Sequence, residues 1–287
     1  MTSANDLDSL NDNCFGELLK IIHQLTGITI SPTRKSMVQG RVQKRLKANS
    51  LKSYEDYLKF LKDNKAEQVA FIDLMTTNET YFFRTPRVWN YIENTFLPVW
   101  VKSNPKGTLR AWSAASSTGD EAHSLGILFQ DFKEKHPGFT YQIVGTDISQ
   151  AMVKRCQEGR YSGRALEVFK STKASIFQKY MKASGNNSEY QVVEEIRSRI
   201  QFRQHNLFSV LPSNERFDLV LLRNVLIYFV PKDQEIVLNH VASRITNKGK
   251  LIIGESESLS FVKSDFNLIE PLIYERATST QKVKEVS

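Results

Sequence analysis

Residues 109–147 read LRAWSAASSTGDEAHSLGILFQDFKEKHPGFTYQIVGTD. The stretch opens on a short apolar run at 109–114 and passes through a loop of small residues. It continues with a helical pattern at 122–133 and closes on a second apolar run at 141–146. Strand, helix and strand at this spacing make a βαβ unit with parallel strands. Similar apolar runs recur at 200–202, 217–222 and 250–253, with helical patterns at 151–157 and 232–242. Several of these runs are apolar on both faces, which calls for a sheet covered on both sides. The expectation is an α/β fold with a doubly wound, mostly parallel sheet. A last strand at 268–276 follows a short connection and is expected to run antiparallel. Residues from about 160 to 200 interrupt the alternation with a helix at 173–181, the turn-rich Ser184-Gly185-Asn186-Asn187 and a strand-like 190–193. They read as a small inserted β-subdomain.

Toward the N-terminus the pattern is purely helical. Phe15, Leu18, Leu19, Ile22 and Leu25 recur at helical spacing, and Gly27 fits a helix stop. Ser31-Pro32 opens a second helix whose stripe is Val38, Val42 and Leu46. Further helices at 54–61 and 69–75 complete an all-α domain over 12–75. No acid lies between Glu17 and Glu55, whereas Arg34, Lys35, Arg41, Lys44, Arg45, Lys47 and Lys52 do. Arg34, Arg41 and Arg45 fall close together at 3.6 residues per turn, as either a solvated basic face or a docking face for an acidic helix.

Between the two regions stands Thr76-Thr77-Asn78-Glu79-Thr80-Tyr81-Phe82-Phe83-Arg84. Ordinary linkers are rich in Gly, Ser, Pro or charge. This one reads either as a ligand-touching segment anchored by its aromatics, or as a helix cap followed by buried phenylalanines. The domain reading is therefore 12–75 helical, 76–90 linker contributing to the site, 91–277 the sheet domain, and 278–287 a disordered tail.

Bulk composition narrows the function classes. At 287 residues, with 40% hydrophobic and 24% charged residues, the chain is long and apolar enough for a packed core. No apolar run is long enough to span a bilayer, so membrane insertion is not expected. Residues 1–14 carry Asp6, Asp8 and Asp12 and no basic residue, which does not suit a targeting segment and suggests a cytoplasmic protein. Cys14 and Cys156 alone support no disulfide framework, and the five histidines show no metal-ligand spacing, so no metal is expected. The net charge of +8 calls for an acidic partner. No segment reads as a self-association surface, and a monomer is expected.

In open α/β sheets the ligand lies beyond the carboxyl ends of the strands. After the first strand come Ser113 to Glu121, small residues that allow close backbone approach, without a dinucleotide fingerprint. Asp120 and Glu121 would repel phosphate and welcome a cation, or simply suit the helix dipole. After the second strand comes Asp147, able to accept from both ribose hydroxyls or to cap the next helix. Asn206-Leu207 follows the third strand, where an adenine could lie, and Arg223-Asn224-Val225-Leu226-Ile227-Tyr228-Phe229 follows the fourth. A ribose carboxylate, no phosphate loop and acids at the first turn suggest S-adenosylmethionine.

Four motifs in this order, Thr76 to Arg84, Trp112 to Glu121, Gly145-Thr146-Asp147-Ile148-Ser149 and Arg223 to Phe229, resemble the chemotaxis receptor glutamate methyltransferases, the CheR family. The resemblance covers nearly the whole chain. It implies a Rossmann-like, S-adenosylmethionine-dependent methyltransferase domain that methylates receptor glutamates and releases S-adenosylhomocysteine. It also implies that Asn78, Thr80 and Arg84 reach the cofactor site, that Glu121 binds the methionine end and that Asp147 holds the ribose. Asn206, Leu207, Arg223 and Asn224 would line the adenosine and methionine positions, and Arg84 and Tyr228 would stand beside the transferable methyl. The partners it implies are the cytoplasmic helices of chemoreceptors, docked by Arg34, Arg41 and Arg45. The chain departs from the family in carrying Ser116 for a common Cys and Glu121-Ala122-His123 for Glu-Pro-Tyr. The Ser184–Asn187 turn differs from the glycine-rich loop of members that bind a receptor C-terminal tail, which argues against tail binding. A nucleic-acid methyltransferase is disfavoured: the loop after the fourth strand lacks an Asn/Asp-Pro-Pro-aromatic motif, and neither cysteine lies in a suitable loop. A non-catalytic cofactor-binding regulator of the same fold is the other alternative.

Overall fold

The computed structural model describes residues 9–185 and 188–277. Residues 1–8, the expected tail at 278–287 and the Asn186-Asn187 part of the turn lie outside the described residues. The chain divides into two compact units, Met1–Thr77 with Tyr228–Val230, and Asn78–Ile227 with Pro231–Ser287. The boundary falls inside the Thr76 to Arg84 run.

The first unit holds α1 (Asp12–Thr26), α2 (Lys35–Ala48), α3 (Tyr54–Asp63) and α4 (Lys65–Met75). The boundary signals behave as their chemistry requires. The Asn11 side chain caps α1 by accepting from Cys14 N, and Gly27 ends it at φ 74°, a left-handed conformation that glycine adopts at no steric cost. Ser31 caps a 3-10 turn, Pro32–Arg34, that leads into α2. Leu18, Ile22, Val42, Leu46, Tyr57, Leu61 and Phe71 form the core of the unit. Each such aliphatic or aromatic side chain contributes roughly 1.5–3 kcal/mol on burial.

The second unit begins with two short helices, α5 (Pro86–Tyr91) and α6 (Leu97–Ser103), joined by a π-helical turn, Ile92–Phe96. Then come β1 (Thr108–Ser113), α7 (Asp120–Lys135), β2 (Thr140–Asp147) and α8 (Gln150–Glu158). The inserted region follows as β3 (Arg160–Tyr161), α9 (Arg164–Thr172), α10 (Ala174–Tyr180), β4 (Met181–Ala183), β5 (Tyr190–Val192) and α11 (Glu194–Arg197). The chain returns to the main sheet as β6 (Ile200–Gln204), β7 (Phe217–Leu222), α12 (Pro231–Arg244), β8 (Ile245–Ile253), β9 (Phe266–Glu270) and β10 (Ile273–Arg276).

The seven-stranded sheet has the order β6-β2-β1-β7-β8-β10-β9. β6, β2, β1, β7 and β8 run parallel, and β10 pairs antiparallel with both β8 and β9. The fold class is thus mixed α/β with a mostly parallel sheet, as expected. Two details differ. The single last strand at 268–276 is a hairpin of two strands, broken at Pro271-Leu272, where Leu272 takes φ 76°. The insertion carries α9, which was not expected, ahead of the expected helix; β3, β5 and β4 form its three-stranded antiparallel sheet. The strand order reverses between the parallel neighbours β1 and β7, and the crevice beyond their carboxyl ends is where such sheets place ligands. No helix among the described residues is long and apolar enough to cross a membrane.

Candidate active site

β1 and β2 carry the first two candidate segments to the same edge of the sheet, in register from Thr108 with Thr140 to Ser113 with Gly145. At the end of β2 the Asp147 carboxylate accepts from two backbone amides, Ser149 N at 2.9 Å and Ser117 N at 2.8 Å. This ties the loop after β1 to the loop after β2. It also settles the capping question: the N-cap of α8 is Ser149, whose hydroxyl accepts from Met152 N at 3.1 Å. Asp147 is therefore held by backbone amides from both loops.

The loop after β1 is shaped by unusual backbone. Ser117 sits at φ 50° and Gly119 at φ 92°. Non-glycine residues visit this region rarely, and such strain clusters at functional sites. Three residues hold the loop in place. Cys156 Sγ donates to the Ser117 carbonyl at 3.1 Å. Tyr161 donates to the Thr118 carbonyl at 3.0 Å. His123 Nδ1 lies 3.0 Å from the Gly119 carbonyl and 2.7 Å from the Tyr161 oxygen. Because the Tyr161 proton is already committed to Thr118, Nδ1 carries the His123 proton and Nε2 is bare. The His123 Nε2 is buried without a partner among the described residues, and burial lowers the pKa of the imidazole to about 4. Sequence reasoning saw His123 only as a departure from the family pattern; its anchoring role depends on Tyr161, 38 positions away.

Glu121, on the first turn of α7, faces Arg223 at the end of β7. The guanidinium Nη1 donates to Glu121 Oε2 at 2.9 Å, and Ser113 Oγ donates to Glu121 Oε1 at 2.8 Å. Arg223 Nη2 donates to the Arg84 carbonyl at 2.9 Å, which also accepts from Trp89 Nε1 at 2.8 Å. Arg84 lies between Phe83 at φ 55° and Thr85 at φ 66°, so two left-handed residues turn this carbonyl toward its donors. Phe82 and Phe83 are buried anchors: Phe82 meets Tyr161 edge-on at 4.7 Å and stacks on Phe169 at 4.9 Å, while Phe83 meets Trp89 at 5.2 Å. Of the sequence expectations for this run, the buried phenylalanines are present, whereas Tyr81 is exposed and the next helix is capped at Thr85 rather than at Thr77 or Asn78. The Arg84 guanidinium is lightly held, 3.4 Å from the Glu79 carbonyl and 5.8 Å from the Tyr81 ring centroid.

The other candidates are placed as follows. Asn78 and Thr80 lie half-buried on the same run. The Asn206 side chain accepts from Phe208 N at 3.0 Å, and the buried Leu207 offers its carbonyl to His240 Nδ1 at 3.0 Å. Asn224 takes φ 58° directly after Arg223. Tyr228 is half-buried and falls in the stretch grouped with the helical unit. In that unit the three arginines do not share one free face. Arg45 makes a bidentate contact with Glu67 at 2.8 and 2.6 Å, and Tyr57 and Asn49 donate to the same carboxylate. Arg41 donates to the Met75 carbonyl at 2.7 Å, and Arg34 alone of the three is exposed.

Ser113, Glu121, Arg223, Asp147 and the Ser117 loop make a polar cluster at the carboxyl ends of β1, β2 and β7. Two polar atoms of the cluster, Ser117 Oγ and Arg223 Nε, are buried without a partner among the described residues. A ligand with hydroxyls and a carboxylate would satisfy such atoms, and the carboxylate of Asp147 suits a ribose; the donor set fits S-adenosylmethionine.

Two family models match the chain. One, described as CheR methyltransferase, SAM binding domain, matches residues 78–274; the other, CheR methyltransferase, all-alpha domain, matches residues 14–76. The chain is 30% identical to a Pseudomonas putida protein named chemotaxis protein methyltransferase Cher2, over 89% of this chain and 94% of that one. It is 28% identical to a chemotaxis protein methyltransferase of Borreliella burgdorferi, over 90% of this chain and 92% of the relative. It is 30% identical to one of Salmonella typhimurium, over 93% and 91% of the two chains.

Proposed function

The chain belongs to the CheR methyltransferase family, and from that premise we propose that it transfers a methyl group to glutamate side chains of chemoreceptors. It is an S-adenosylmethionine-dependent methyltransferase. Methylation in chemotaxis follows from the family and from the names of its relatives. The glutamate acceptor and the residue roles are the proposal. The observation that carries it is the joined cluster Ser113–Glu121–Arg223–Arg84 beside the Asp147 cradle, which supports a site for a zwitterionic nucleoside ligand with no phosphate.

When bound, the cofactor supplies an electrophilic methyl. A glutamate side chain has a reference pKa of about 4.3 and is ionised near neutral pH, so no general base is required. The acceptor's carboxylate oxygen would take that methyl directly, with the sulfur as leaving group. The bonding pair stays on sulfur, and the products are a methyl ester and S-adenosylhomocysteine. The protein's task is positioning and exclusion of water. Asp147 holds the ribose; Asn206 and Leu207 line the adenosine; Glu121, Arg223 and Asn224 line the methionine end. Asn78 and Thr80 reach toward the same ligand. Arg84 orients a carboxylate without gripping it, since a tight ion pair would stabilise the ground state more than the transition state. Tyr228 is proposed, on the family resemblance, as the residue near the sulfonium. Chemoreceptor helices are acidic partners for the basic helical unit, in which Arg34 is the exposed member of the expected docking set.

The test is labelled cofactor with a receptor cytoplasmic fragment, followed by peptide mapping. Label on glutamate-containing receptor peptides is the expected result. Transfer to nucleic acid, or cofactor binding without transfer to any receptor fragment, would overturn the proposal.

A further inference from the structure

We propose that Glu257 is a positioning residue of the cofactor site, fixing the backbone of the turn after β7 that carries Arg223 and Asn224. The inference rests on the reading that this turn lines the cofactor. Glu257 stands on the segment after β8. Its Oε2 accepts from Gly254 N at 2.6 Å and from Asn224 N at 2.9 Å, and its Oε1 accepts from Leu226 N at 2.8 Å. With Asn224 in the left-handed region, neighbouring amides of the turn converge, as in the backbone concavities that bind anions. Here the anion is a side chain of the protein itself.

The two loops approach so closely that a Cβ added at Gly254 would lie 2.6 Å from Asn224 Nδ2 and 2.8 Å from Asn224 N. From α12, Gln234 Nε2 donates to the Leu226 carbonyl at 3.0 Å. The turn is thus clamped by Glu257 through its amides and by Gln234 through a carbonyl. Asparagine tolerates the left-handed region better than most non-glycine residues, and these bonds hold Asn224 there. Removing the carboxylate leaves the Asn224 and Leu226 amides without that acceptor and frees the turn. Arg223, one residue upstream, then loses its fixed approach to Glu121.

The experiment compares Glu257→Gln and Glu257→Ala with the wild type. S-adenosylhomocysteine affinity is measured by calorimetry, and amide hydrogen exchange at Asn224 and Leu226 is measured without cofactor. The expected result in Glu257→Gln is faster exchange at both amides and roughly tenfold weaker binding, the loss of one charge-assisted hydrogen bond. Turnover should fall at saturating substrates, with the KM for the protein acceptor unchanged. Lower thermal stability with wild-type affinity and turnover in the folded fraction would overturn the assignment. So would wild-type amides at these two positions that exchange without protection, a reading independent of whether the alanine variant folds. Asn224→Ala separates the two ideas. Unchanged affinity in Asn224→Ala strikes the reading that the turn lines the cofactor. Weakened affinity there, with Glu257→Gln behaving as wild type, strikes the role of Glu257 alone.

Discussion

The Arg223 guanidinium donates to the Glu121 carboxylate at 2.9 Å, joining the end of β7 to the start of α7 across 102 positions of sequence. The Arg223 side chain is 2% exposed and that of Glu121 11%, so neither charge has ready access to water. Removing one member of such a pair strands the other, at a cost of about 3–5 kcal/mol. Arg223→Ala and Glu121→Ala should each lose about this much in chemical denaturation. The double variant should lose less than the two combined. Additive losses would show that the pair is not coupled.

Asp147→Asn keeps the shape of the side chain but presents an amide group where Ser117 N or Ser149 N now donates. Hydrogen bonds to a charged group contribute about 1.5–3 kcal/mol. S-adenosylhomocysteine should therefore bind about ten- to a hundredfold more weakly, as read by calorimetry. Unchanged affinity would remove Asp147 from the proposed ribose site.

His123 and His205 give the sheet unit a pH dependence with a definite sign. Burial lowers the pKa of each to about 4, from an ordinary 6.5. Both are neutral in folded and unfolded chains above that ordinary value. As pH falls from 6.5 toward 4 the unfolded chain takes up protons that the folded one refuses, and stability declines. Urea midpoints between about pH 7.5 and pH 5 should fall for the wild type and fall less for His123→Phe, which keeps only the His205 share. A slope unaffected by the substitution would show that His123 is not held neutral.

The arginines of the helical unit should separate by function. Arg34→Glu, at an exposed position, should lower receptor methylation several-fold while cofactor affinity and stability stay unchanged. Arg45→Glu should instead destabilise the unit by about 3 kcal/mol, the lower end for a buried pair because Arg45 is 27% exposed. Burial alone would raise the Glu67 carboxyl, but bonds from Arg45, Tyr57 and Asn49 hold it below the ordinary 4.5. That contribution is present above pH 4.5 and is lost as pH falls further. Intact receptor methylation in Arg34→Glu would show that its charge is merely solvated.

The sheet was legible because its signal is local. Alternating apolar runs and helical periods between 109 and 253 mark strands and helices without knowledge of their partners, and the residue after each strand then falls at the ligand crevice by topology. Asp147, the last residue of β2, was singled out in this way. Long-range pairing was not legible. Glu67 lies 22 positions from Arg45, so helical periodicity grouped Arg34, Arg41 and Arg45 without showing that Arg45 faces inward. The anchoring of the Ser117 loop by Cys156, Tyr161 and His123, and of the Asn224 turn by Glu257, depends on positive φ at non-glycine residues. Propensity does not announce such residues. Even Arg84, singled out for its guanidinium, meets Arg223 through its backbone carbonyl, a group every residue possesses.

The most direct test of the central claim asks what bond the transferred methyl makes. Receptor cytoplasmic fragment labelled by this protein and methyl-labelled cofactor would be isolated and treated with mild base. Glutamate methyl esters hydrolyse there and release the label as volatile methanol, which is the result this account predicts. Label that stays on the receptor through base treatment would mark transfer to nitrogen or sulfur and would contradict it.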